Sequence, residues 1–225
     1  MRWFWRVLVV LGFAGGVVLV YALVIRGLLG IVAPEPEVPV FTDVPPEHPY
    51  HETVEKVVLL GIMSGMTESA FGPEEAVTRG EMAEVIVKTM KWSLTEAGQA
   101  EFADVEREPG ADRADYVGVV NAKGIMTGTT DSPPRFLPDE EVTLGQLVVI
   151  AVRAGGEELS SPSGSDPGVE AVRATRVVKD ALYVALANGL LDQTGIDLAA
   201  ADMGAPVLRE QVAQMMLNLR GALGW

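Results

Sequence analysis

Cysteine is absent from this 225-residue chain, which excludes disulfides, thiolate metal sites and cysteine nucleophiles together. That absence does not fix the compartment, because many exported bacterial proteins manage without disulfides. Histidine is nearly absent too. His48 and His51 sit at the proline-rich start of a helix, too few and too poorly framed for a metal site, so no metal is expected. The carboxylates of TESAFGPEE (67–75) and TDSPPRFLPDEE (130–141) lack the alternate-ligand spacing of a calcium loop. The chain has no Gly-rich phosphate loop, no nucleophile elbow and no carboxylate pair framed by a plausible cleft. No catalytic residue and no cofactor are expected, and the chain reads as a non-enzyme.

Positive charge is scarce where it would matter. Arg2, Arg6 and Arg26 all precede Pro34, leaving 14 basic against 31 acidic side chains in the rest, a net charge of −17. Such a surface repels nucleic acid and anionic lipid, so no nucleic-acid partner is expected. An anionic ligand would require a local basic pocket.

Charge disappears altogether between Val7 and Ile25, a run of nineteen residues. As a helix it would span ~28 Å, close to a bilayer core of ~30 Å. Trp3, Trp5 and Tyr21 suit the interfaces, and the basic flank places the N-terminus inside. Residues 1–33 therefore read as a transmembrane anchor. The competing reading is a cleaved signal peptide, disfavoured by the length of the apolar run and by a cleavage site at Ala33 that precedes Pro34. On either reading the remainder is exported, anchored at the cell membrane or secreted to the wall. Residues 34–40, with Pro34, Pro36 and Pro39, form an extended spacer.

The remaining sequence repeats itself. Phe41-Thr-Asp-Val44 recurs as Phe102-Ala-Asp-Val105, and Gly61-Ile-Met-Ser-Gly65 as Gly124-Ile-Met-Thr-Gly128 and Gly189-Leu-Leu-Asp192. Val77-Thr-Arg-Gly-Glu81 recurs as Val142-Thr-Leu-Gly-Gln146 and Val207-Leu-Arg-Glu-Gln211. Successive copies keep these landmarks in constant order and at near-constant spacing. Each reads as helix, loop, helix. Val54, Val57 and Val58 line a first helix that Gly61 stops, and Met82, Val85, Ile86 and Met90 line a second. In the third copy Asp166-Pro167 starts a first helix running to about Asn188, and Met215 and Met216 belong to the last stripe. One helix pair of ~60 residues buries too little apolar surface to stand alone. The expected fold is all-α: three repeats, 41–101, 102–165 and a divergent 166–225, in a pseudo-threefold arrangement around a shared helical core, behind the N-terminal transmembrane helix.

These landmarks resemble the S-layer homology module, whose run is F-x-D-V, His-Trp, G-I-x-x-G, a Phe-x-Pro loop and a T-R-A-E helix start. The first copy supplies Phe41-Thr-Asp-Val44, His48, Gly61-Ile-Met-Ser-Gly65, Phe71-Gly-Pro73 and Thr78-Arg-Gly-Glu81. The second supplies Phe102-Ala-Asp-Val105, Gly124-Ile-Met-Thr-Gly128 and Phe136-Leu-Pro138. The resemblance implies non-covalent attachment to the cell wall. Its inter-repeat grooves would bind an anionic, pyruvylated secondary cell-wall polysaccharide or a peptidoglycan-linked glycan, with S-layer or other envelope proteins as further partners. It implies Arg79 and Arg209 as ligand-binding residues, with Asp43 and Asp104 at the opening motif. Pro49 replaces the Trp, Leu144 replaces the Arg of copy two, and Leu208 replaces the capping Thr of copy three. Copy two is therefore expected to have lost its site. A protein-interaction scaffold with decayed glycan sites is the alternative function.

Thr78 with Glu81, and Thr143 with Gln146, also fit capping boxes, a structural role worth ~1 kcal/mol each. Asp43 and Asp104 fit caps on the turn after a buried Phe. Arg79 differs, because a cation in the first turn opposes the helix dipole by ~0.3–1 kcal/mol. It would suit an anion shared with the free N–H groups of the helix start. The alternative partners are Glu74, Glu75 or a neighbouring repeat.

Overall fold

The computed structural model describes residues 39–225 except 98–101, 107–112, 163 and 165. The anchor read at residues 7–25 lies outside the described residues, and among the described ones no helix is long and apolar enough to cross a membrane. Val38–Trp225 is one compact unit.

Its architecture is helical. The first copy contributes α1 (His51–Leu59) and α2 (Arg79–Met90), and the second α3 (Arg113–Ala122) and α4 (Leu144–Gly155). The third contributes α5 (Pro167–Ala171), α6 (Arg176–Ala187) and α7 (Arg209–Ala222). The single helix expected from Pro167 to Asn188 is thus two. Asp166 caps the short one, accepting from the Gly168 and Val169 N–H groups, and the chain turns extended at Val172. Thr175 then caps a fresh start, its hydroxyl accepting from Val178 N–H. No named strand occurs among the described residues; three isolated bridges join copies instead.

Those bridges surround a closed ring. The Val77 N–H donates to the Val207 carbonyl, Val207 to Val142, and Val142 back to Val77, at 3.1, 2.9 and 2.8 Å. All three valines are fully buried and hold the same place in their copies. Further along, Met82, Leu147 and Val212 form an equivalent set, as do Ile86, Ala151 and Met216, every one of them at 0% exposure. Fully burying a Val, Leu, Ile or Met side chain stabilises by about 1.5–3 kcal/mol, so these positions anchor the centre of the core.

Among the described residues α1 does not pack on α2, nor α3 on α4, nor α6 on α7, although the short α5 lies against α6. Among the described residues α2 packs on α3, α4 on α6 and α7 on α1, while α2, α4 and α7 meet around the ring. The last helix of each copy is covered by the helix that precedes the loop of the next copy (α3, α6 and, returning to copy one, α1). Each apolar stripe thus finds its partner one copy along.

The helix before the loop in each copy (α1, α3 and α6) ends at Gly61, Gly124 or Gly189, with φ of +66°, +68° and +66°. Around each the following residue donates to a carbonyl five positions back: Ile62 to Val57, Ile125 to Val120, Leu190 to Ala185. This left-handed stop favours Gly for conformational reasons alone at Gly61 and Gly124, where a Cβ would meet nothing. Gly65 and Gly128 are required for space, since a Cβ there would strike the rings of Phe41 and Phe102.

Candidate anion-binding groove

Asp43 and Asp104 hold the loops that shape the grooves. The Asp43 carboxylate accepts from the Phe71 and Gly72 N–H groups at 2.9 and 2.7 Å. Asp104 accepts from Phe136 and Leu137, both at 2.8 Å. Burial alone would raise both pKa values, but these backbone N–H bonds outweigh it and leave both carboxyls below their ordinary value. Phe41 packs on Phe71 and Phe102 on Phe136, with ring centroids 5.7 and 5.5 Å apart. Both oxygens of each Asp are thus engaged inside the protein.

Each held loop receives the next element. The Arg79 and Gly80 N–H groups at the start of α2 donate to the Glu140 and Pro138 carbonyls of copy two, both at 2.8 Å. Leu144 and Gly145 donate in the same way to Ala205 and Met203, and Arg209 and Glu210 to Glu75 and Pro73. The helix starts are therefore occupied by carbonyl oxygens of a neighbouring loop. The expectation of free N–H groups beside Arg79 is corrected on this point.

The arginine side chains follow their backbones across the junction. Arg79 donates from Nε to the Phe136 carbonyl (2.9 Å) and from Nη2 to the Thr127 carbonyl (3.0 Å). Its guanidinium carbon lies 4.8 Å from the Phe136 ring centroid. Arg209 repeats the arrangement on copy one, donating to Phe71 (3.0 Å) and Ser64 (2.6 Å) with 4.8 Å to the Phe71 ring. Burial lowers the pKa of both, opposed by nearby carboxylates; an arginine stays cationic regardless. At the third junction Leu144 stands at the arginine position and Ala201 at the phenylalanine position, so cation and ring are lost together.

The capping residues sit at the helix starts. Thr78 Oγ1 accepts from Glu81 N–H and the Glu81 carboxylate from Thr78 N–H, and Thr143 and Gln146 make the same reciprocal pair. In copy three Gln211 Oε1 accepts from Leu208 N–H at 3.0 Å, and the leucine cannot return the bond. His48 Nδ1 accepts from Tyr50 N–H, with Nε2 3.9 Å from Glu210. His51 Nδ1 lies 2.9 Å from the Val44 carbonyl and Nε2 3.5 Å from Glu55.

Arg79 also lines a groove of about 430 Å³ between the Ile125–Thr127 loop, the outer face of α4, and residues 173–178 and 203–204 of copy three. Arg153 and Arg173 line it as well, and no carboxylate is among its described lining residues. In a region of net charge −17 this is the local basic pocket that an anion needs. A counterpart of about 310 Å³ lies beside α2, lined by Ser64, Glu81, Glu84 and Arg209 among others. Copy two has Leu144 at the arginine position of its own helix start, and the arginine that lines its groove from a helix start is Arg79 of copy one.

Arg153 and Arg173 were not singled out by sequence reasoning. A signal for them exists: residues 142–156 and 171–179 contain no acidic side chain, although acids are frequent elsewhere. Nothing in the sequence said that these two stretches face one another.

The chain has recognisable relatives. It is 29% identical over 157 residues to a cell surface protein of Thermoanaerobacter kivui, covering 66% of this chain and 19% of that protein. It is 25% identical over 114 residues to S-layer protein EA1 of Bacillus anthracis, covering 51% of this chain and 13% of that one. It is 28% identical over 112 residues to the middle cell wall protein of Brevibacillus brevis, covering 48% and 10%. The chain therefore matches less than a fifth of the length of these relatives. The family model described as S-layer homology domain matches residues 40–83, from the Phe41 motif through the start of α2, and this part of the chain carries one such domain.

Proposed function

We propose that this chain is a non-enzymatic cell-wall-binding protein, membrane-anchored through residues 7–25 with its C-terminal region outside the membrane. Its three copies are S-layer-homology-like repeats in pseudo-threefold array. They recognise an anionic secondary wall polysaccharide, the pyruvylated class being the natural candidate, and so tie membrane to wall or S-layer. The observation that carries this reading is the groove lined by Arg79, Arg153 and Arg173 without a described carboxylate, in a region otherwise strongly acidic. Guanidinium groups bind carboxylates through charge-assisted, often bidentate hydrogen bonds, and the apolar walls from Ile125, Met126 and Ile150 suit the faces of a sugar ring. The matched domain and the names of the relatives support an envelope location.

The test is co-sedimentation of the full chain, in neutral detergent, with wall sacculi that carry pyruvylated polysaccharide, before and after that glycan is stripped. Binding that is lost on stripping is expected; equal binding, or none, in both cases contradicts the reading. A second reading, a protein-interaction scaffold, is favoured by the exposed Leu59, Leu60 and Met66 of copy one. Retention on stripped sacculi together with a specific crosslinked envelope protein would select it.

A further inference from the structure

The two grooves built on one plan differ in sign. Gln146 and Val149 hold in copy two the places that Glu81 and Glu84 hold in copy one, and each pair lines its own groove. Beside α2 the cations are already matched: Arg209 Nη1 lies 3.7 Å from Glu81, and Lys88 Nζ lies 2.5 Å from Glu84. Beside α4 they are not. Arg153 donates from Nη1 to the Ile125 carbonyl at 3.3 Å, and among the described residues no carboxylate pairs with Arg153 or Arg173. The third junction offers no arginine from the helix start, since Leu144 occupies that position.

We infer that the groove between copies two and three is the single anion site of this chain, that Arg153 and Arg173 bind the ligand's carboxylate beside Arg79, and that Glu81 and Glu84 shut the sister groove to anions. This rests on reading the chain as an anionic-glycan binder. Two carboxylates facing an incoming carboxylate repel it, and Glu81 also occupies the one arginine that could receive it. Replacing them by an amide and an aliphatic chain, as Gln146 and Val149 do, removes both obstacles. The binding determinants thus come from all three copies: Arg79 from the first, Arg153 from the second and Arg173 from the third.

The experiment is calorimetric titration of the full chain in neutral detergent with a pyruvate-ketal methyl glycoside, the ketal-free sugar serving as control. One site per chain is expected. Arg153 and Arg173 are exposed, so Arg153→Gln with Arg173→Gln leaves the fold intact and is expected to weaken binding ~10-fold or more, the loss of a charged hydrogen bond. Glu81→Gln with Glu84→Val is expected to raise the stoichiometry above one. This variant folds, because the Thr143–Gln146 pair shows that Gln serves the capping box equally. Unchanged affinity in the arginine variant, or a stoichiometry fixed at one in the Glu variant, overturns the inference while glycan-dependent retention on sacculi leaves the wider reading intact. Failure of the unaltered chain to bind either sacculi or glycoside overturns both.

Discussion

Asp43 and Asp104 each use one carboxylate to satisfy two backbone N–H groups, and this makes them the residues on which loop geometry depends. Replacing either with Ala leaves two donors unmatched, and a loss of about 1–3 kcal/mol is expected in urea unfolding. The pH dependence has a definite sign. Both pKa values lie below the ordinary 3.8 in the folded protein. Their stabilising contribution is therefore fully present above that value and is lost as pH falls through the lower folded one. Asp43→Asn with Asp104→Asn should flatten the acid side of the stability profile. Arg79 carries a comparable structural duty through two carbonyls and a ring, so Arg79→Ala should cost about 2–3 kcal/mol of stability besides its effect on binding. The sequence could isolate Arg79 as a residue that helix formation does not explain. It could not show that Phe136 and Thr127 of another copy receive it, because that contact spans 57 and 48 positions.

Helix starts and stops were legible because local chemistry sets them. Thr78 and Thr143 cap α2 and α4, and Gly61, Gly124 and Gly189 end α1, α3 and α6 in the left-handed region. Gly124→Ala is therefore expected to destabilise by about 1 kcal/mol from backbone strain alone, with no clash. A thermal melt compared with an Ala substitution at exposed Glu157 would check it. The break before α6 was missed for an equally local reason. Thr175 is a good N-cap, but no Gly or Pro between Val169 and Asn188 marks a break, so the stretch reads as one continuous helix. Pairing of elements was not legible at all. Periodicity shows that a helix has an apolar face, and says nothing about which neighbour covers it.

At the scale of the molecule, that pairing makes the three copies interdependent. The last helix of each copy lies on a helix of the next, and the ring of Val77, Val142 and Val207 is closed only when all three are present. Deleting residues 166–225 would leave α1 without α7, α4 without α6, and the Val77 N–H without its acceptor. Loss of cooperative unfolding in the truncated chain is expected by circular dichroism, and a sharp transition would contradict interdependence. The same arrangement gathers arginines of different copies around one groove, which explains why copy two, lacking the motif's arginine, still has three arginines beside it. The central claim is that this groove receives an anionic wall glycan. The most direct measurement is a structure of the chain with a pyruvylated glycan bound. The ketal carboxylate is expected within hydrogen-bond reach of Arg79, Arg153 and Arg173. A glycan seated beside Glu81 and Glu84, or away from all three arginines, would contradict the account.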